Sequence, residues 1–133
     1  MAHKIREIKG LDDAVRDKME ADGILTVEQL LAQADSGPKK SALAKKLGIQ
    51  GSQLTELINR ADLMRLNGVG TEYANLLEEC GVDSCRELQH RVPANLHAKI
   101  SSVNTEKQIT KRIPTLAQVE KWVAEAKDFA KQA

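Results

Sequence analysis

The sequence predicts an all-α chain. Three observations carry that expectation: a core that has to be built from Leu, Ile, Val and Ala, apolar residues spaced three and four apart in every long segment, and glycines and hydroxyl residues placed where helices would stop and start. Among 133 residues there is one Phe, one Tyr and one Trp. Such a supply suits packed helices better than stacked strands, which draw on aromatic and β-branched side chains. A chain of this length holds one domain or two small ones sharing a core. We expect roughly eight or nine helices and no sheet.

Taken in order, the segment from Ile5 to Asp12 leads into a helix around Ala14-Val15-Arg16-Asp17-Lys18-Met19 that stops at Gly23-Ile24. Glycine just past a helix accepts the left-handed backbone that closes it. Thr26-Val27-Glu28-Gln29 is a capping box, a hydroxyl followed three residues on by Gln, so the next helix starts there with Leu30 and Leu31. Pro38 suits a first helical turn and Gly48 an end, which brackets another helix. Ser52 is expected to cap a helix carrying Leu54, Leu57, Ile58, Ala61 and Leu66 on one side. A turn at Gly68-Val69-Gly70 then opens a helix that stops at Gly81-Val82, and Ser84-Cys85-Arg86-Glu87 forms a second capping box. Pro93 to Ile100 reads as a short helix and 101–114 as a polar, basic loop anchored by Ile109 and Ile113. A third box, Thr115-Leu116-Ala117-Gln118, opens a final amphipathic helix with Leu116, Val119, Trp122, Val123, Ala126 and Phe129 at helical spacing.

The chain repeats itself. Ile8 corresponds to Leu66, Gly10 to Gly68, Leu11 to Val69, and Asp12 stands where Gly70 stands; Gly23-Ile24 matches Gly81-Val82, and the first two capping boxes coincide. The interval from Gly37 to Gly48-Ile49 equals that from Gly70 to Gly81-Val82, which suggests a third, degenerate arm. In Leu66-Asn67-Gly68-Val69-Gly70 both glycines are expected to take positive φ and let two helices approach closely. Val69 would point inward, and Ala74 is small where the helices would cross. This stretch resembles the helix-hairpin-helix motif. The resulting expectation is tandem helix-hairpin-helix repeats packed on one shared core, 1–62 and 63–133, with a C-terminal amphipathic helix.

The whole arrangement resembles a family of small bacterial proteins with paired helix-hairpin-helix units, classed as a domain of unknown function. The resemblance covers nearly the whole chain and is most specific from Leu66 to Ala126. It implies a fold more than an activity. Units of this kind hold the nucleic-acid backbone through hairpin N–H groups, with Lys and Arg adding affinity by counterion release. The hairpin stretch Gly68, Val69, Gly70 and Thr71 is the candidate contact; pure helix packing is the equally weighted reading of the same glycines. Candidate cations are Lys39, Lys40, Lys45 and Lys46, in a stretch without acids, and Lys107, Lys111 and Arg112. Each cluster also reads as an ordinary solvated face. Against phosphate binding stand Glu72, Glu78 and Glu79 after one turn and Asp12, Asp13 and Asp17 after the other, since a carboxylate near a phosphate opposes the helix-terminal field.

Other functions find less support. Formal net charge is +1, so the whole-molecule field favours neither nucleic acid nor a membrane. No apolar run reaches transmembrane length, and Met1-Ala2-His3-Lys4 lacks a signal-peptide core, so a cytoplasmic protein without a membrane partner is expected. Cys80 and Cys85 are too few for a disulfide framework and read as small apolar residues at a helix junction. His3, His90 and His97 are scattered, and no catalytic pair, metal set or cofactor loop is apparent. Tyr73 and Trp122 sit at core spacing, which argues against a single-strand stacking surface. Two expectations follow: a non-enzymatic module holding the DNA or structured RNA backbone, or a protein-interaction adaptor using the same fold.

Overall fold

A computed structural model describes residues 3–132; Met1 and Ala2, on which the expectation of no leader partly rests, lie outside the described residues. Among the described residues there are eight α-helices and one 3-10 turn, and no strand beyond an isolated antiparallel bridge between Lys4 and Thr26. No described helix is long and apolar enough to cross a membrane. The chain forms two compact units, Met1–Arg65 and Leu66–Ala133.

Unit 1 begins with the 3-10 turn Ile5–Glu7 and continues through α1 (Asp13–Ala21), α2 (Val27–Gln33), α3 (Gly37–Leu47) and α4 (Gly51–Met64). Local chemistry sets these boundaries. Asp12 Oδ1 accepts from Val15 N at 3.0 Å, and Thr26 and Gln29 exchange side-chain and backbone bonds across the start of α2. Ser36 Oγ accepts from Lys39 N, with Pro38 in the first turn of α3. Gly37 therefore lies inside α3, one position out of register with Gly70, so the supposed third arm does not begin like the other turns. Ser52 does not cap α4 either: Gln50 is the N-cap, its N–H met by Gln53 Oε1 at 2.9 Å. Gly23 (φ +84°) and Gly48 (φ +69°) close α1 and α3, with Ile24 N bonded to Met19 O and Ile49 N to Ala44 O. Helices α2 and α3 pack on α4, and α1 on α3, around Ile5, Met19, Val27, Leu30, Leu47, Leu54 and Ala61.

Unit 2 contains α5 (Thr71–Glu79), α6 (Cys85–Leu88), α7 (Pro93–Lys107) and α8 (Leu116–Gln132). Helices α6 and α7 pack on α8, and α5 on α7, around Val69, Leu76, Leu77, Leu88, Leu96, Ile100, Val119 and Trp122. Cys80 and Cys85 are buried at the α5–α6 junction, in keeping with their apolar reading. The expected loop 101–114 is wrong over its first half. Residues 101–107 continue α7 for about two turns, because a run of polar residues serves as the solvent face of a helix already anchored by buried Ile100. The true loop is 108–115. Ile109 and Ile113 are only half-buried in it, and Leu116 is exposed at the start of α8.

The two units follow one plan. Gly10 and Gly68 both take a left-handed turn (φ +88° and +87°), α1 and α5 are each nine residues long, and Gly23 and Gly81 close them. Pro38 and Pro93 stand in the first turns of α3 and α7, and left-handed Gly48 and Gln108 follow those helices. The units diverge after that point. Helix α7 has 15 residues against 11 in α3, and the link to the last helix runs over 108–115 rather than 48–50.

Candidate functional site

The turn of unit 2 is built from the core outward. Leu66 and Val69 are buried, Val69 N donates to Leu66 O at 3.1 Å, and Gly68 supplies the positive φ between them. Trp122 Nε1 donates to Asn67 O at 3.0 Å, and Glu125 Oε1 accepts from Asn67 N at 2.9 Å, so α8 holds the turn residue through both its N–H and its carbonyl. Gly70 corrects an expectation. Its φ is −99° and its ψ −165°, an extended backbone open to any residue; it is the N-cap of α5 and needs no left-handed turn. This explains why Asp12 stands at the matching place in unit 1. There the carboxylate folds over the first turn of α1, whereas Gly70 has no side chain to fold over α5.

Tyr73 connects the turn to the loop. Its ring is half-buried rather than buried, 5.5 Å between centroids from Trp122 at an interplanar angle of 57°, and its hydroxyl donates to Arg112 O at 3.1 Å. The loop itself is tied down at several points. Gln108, left-handed at φ +51°, donates its N–H to Asn104 O. The Asn104 amide and the Thr110 backbone exchange two bonds, at 2.9 and 3.0 Å, and Thr110 Oγ1 donates to Arg112 O. His97 Nε2 lies 3.1 Å from Pro114 O, donating in the tautomer that carries its proton there. Lys111 and Arg112 are thus exposed at the tip of an ordered loop. Between this loop and the first turn of α5 lies a cleft of about 960 Å³, walled by Glu72 and Tyr73 on one side and Asn104, Gln108, Lys111 and Arg112 on the other.

The remaining candidate cations are placed differently. Lys107, in the last turn of α7, bonds Glu79 at 2.6 Å, and that bond followed by its charge raises the lysine above its ordinary pKa. In unit 1, Lys39 pairs with Asp35 at 3.2 Å and Lys46 with Asp22, while Lys40 is half-buried and Lys45 exposed. The unit 1 turn is held by Arg60, whose Nη1 donates to Lys9 O at 2.7 Å and would stand 2.7 Å from any Cβ at position 10. Sequence reasoning named Lys111 and Arg112 as candidates, and both line the unit 2 cleft, but it passed over Asn104, Thr110 and Arg60, whose partners depend on how helices pack. Among the described residues, no group of three or more His, Cys, Asp or Glu is placed to hold a metal ion.

A family profile described as a domain of unknown function (DUF4332) matches residues 9–129. The chain belongs to the DUF4332 family. The matched region of this DUF4332 chain takes in α1 and most of α8, and so includes both turns and the basic loop. Comparisons with curated proteins and with solved structures return no match.

Proposed function

We propose that the chain is a non-enzymatic protein of tandem helix-hairpin-helix units that holds the backbone of duplex DNA, or of structured RNA, without reading its sequence. The observation that carries this reading is the cleft of unit 2, where Glu72 and Tyr73 in the first turn of α5, a helix whose N-cap is Gly70, stand across from exposed Lys111 and Arg112. Helix N-termini and basic side chains are the two usual partners of a phosphate. The matching plan of the two units supports the tandem part of the reading. Duplex is favoured over single strand because Trp122 is buried and Tyr73 is engaged with Arg112, so neither ring offers an exposed stacking surface. A reducing bacterial cytoplasm is the setting this reading takes, one in which buried Cys80 and Cys85 remain thiols.

A protein-interaction adaptor is the second reading. It is favoured by the ion pairs that engage Lys39, Lys46 and Lys107 with carboxylates. Fluorescence-anisotropy titration of labelled duplex DNA, single strand and an RNA hairpin, at low and physiological salt, separates the two. Salt-sensitive duplex binding is expected. Absence of binding even at low salt overturns the nucleic-acid reading and leaves the adaptor to be tested by affinity capture.

A further inference from the structure

Units that share a plan need not share a task, and these two differ at the N-cap, over the turn and after the third helix. At the N-cap, unit 1 has Asp12 with its carboxylate already bonded to Val15 N, and unit 2 has Gly70. Over the turn, unit 1 has the Arg60 guanidinium packed against Gly10; in unit 2 the neutral indole of Trp122 takes the corresponding carbonyl. After the third helix, unit 1 runs directly into α4, while unit 2 inserts the loop that presents Lys111 and Arg112. The carboxylates on the two surfaces also differ. Asp12, Asp13 and Asp17 surround the start of α1, and Arg16 is already engaged by two of them, at 3.0 and 3.2 Å. The start of α5 carries Glu72.

We propose that the duplex-backbone contact is made by unit 2 alone, with Lys111 and Arg112 on the α7–α8 loop as its phosphate-binding side chains and unit 1 as a scaffold, in which Asp12 and Arg60 bond the Val15 N–H and the Lys9 carbonyl of their own turn and a smaller cleft lies beside them. This rests on the nucleic-acid reading above and narrows it. The grip is assigned to the inserted loop rather than to the hairpin amides or the lysines of α3. The loop suits the task because Asn104, Thr110 and Tyr73 fix its backbone before any ligand arrives, so little ordering entropy remains to be lost on binding. Glu72, on the opposite wall of the cleft, opposes the incoming phosphate and keeps the affinity low.

The test uses the full chain and fluorescein-labelled DNA and RNA duplexes of equal length, titrated over a range of salt. Lys111→Gln/Arg112→Gln is expected to weaken duplex binding roughly ten-fold or more and to reduce the slope of log affinity against log salt by about two, one unit for each phosphate no longer neutralised. Lys39→Gln/Lys40→Gln/Lys45→Gln/Lys46→Gln is expected to stay within about two-fold of the parent. Glu72→Gln is expected to bind several-fold tighter, a gain that misfolding cannot imitate. Either duplex giving this pattern supports the proposal, and the tighter one names the source of the phosphate. Loss of binding in the α3 variant with Lys111→Gln/Arg112→Gln unaffected overturns the assignment to unit 2 and leaves the nucleic-acid reading standing. No binding by the parent chain at low salt overturns both.

Discussion

The Tyr73 hydroxyl donates to the backbone carbonyl of Arg112 at 3.1 Å, which makes the first turn of α5 and the basic loop one structural piece. The same carbonyl also accepts from Thr110 Oγ1. Tyr73→Phe keeps the ring against Trp122 and removes only the hydroxyl. We expect a loss of about 0.5–1.5 kcal/mol in denaturant unfolding. On the nucleic-acid reading, duplex affinity also falls although no charge has been removed. Unchanged affinity would show that the loop backbone is held by Asn104 and Thr110 without help.

The two glycines of the unit 2 turn should respond in opposite ways. Gly68→Ala forces a Cβ into a φ of +87° and should cost roughly 1–2 kcal/mol. Gly70→Asp meets an extended N-cap of the kind Asp12 already occupies, so stability should hold or rise by a few tenths of a kcal/mol. The new carboxylate should nevertheless weaken any duplex binding. Thermal unfolding of both variants, beside a titration of the second, checks the pair.

Trp122 is the largest side chain of its unit's core and also the donor that holds the turn. Trp122→Ala should cost about 3–5 kcal/mol. Trp122→Phe should cost about 1–3 kcal/mol, chiefly by leaving the Asn67 carbonyl without its indole donor. An equal loss in both variants would mean that the hydrogen bond, rather than the packing, dominates.

Glu7 and Glu20 are both held below their ordinary value of 4.5, Glu7 first by the Lys4 N–H at 2.8 Å and Glu20 first by the Arg6 side chain. A carboxylate lowered in the folded state contributes stability that is complete above its unfolded value and is lost as pH falls through the folded one. Denaturant midpoints should therefore decline below about pH 4.5 less steeply in Glu7→Gln/Glu20→Gln than in the parent. The difference should be small, since Glu7 is exposed and the Arg6 that pairs with half-buried Glu20 is largely in solvent.

Burial raises the Cys80 thiol, with Lys99 and Arg91 opposing, and Cys85 is also buried. A thiolate is the reactive form, so both cysteines should alkylate slowly at neutral pH and rapidly in denaturant. Mass spectrometry after timed iodoacetamide treatment reads both sites. Fast native labelling of either would contradict their packing.

The local grammar of the chain was legible. Thr26, Ser84 and Thr115 cap the helices they precede, and Gly23, Gly48 and Gly81 close the helices they follow. Each of these signals is completed by a partner within five positions. Ser52 misled because a hydroxyl one residue inside a helix resembles one at its start, and Gly70 misled because sequence does not distinguish a glycine needed for φ from one that leaves a cap bare. The polar run 101–107 misled for a third reason. Its helical state rests on the buried anchor at Ile100 and on the closing turn at Gln108, where no glycine announced an end.

By itself, then, the sequence determined an all-helical chain, the places where most helices begin and end, and the inward direction of Val69 and Trp122, because these follow from backbone hydrogen bonding and apolar spacing within a few residues. Only the tertiary structure decided the candidate site. Asn67 meets Trp122, Tyr73 meets Arg112 and Lys9 meets Arg60 across intervals of 39 to 55 residues. Such pairs exist only after helices have packed, since bond direction and distance are set by the core between them and not by the chain that joins them.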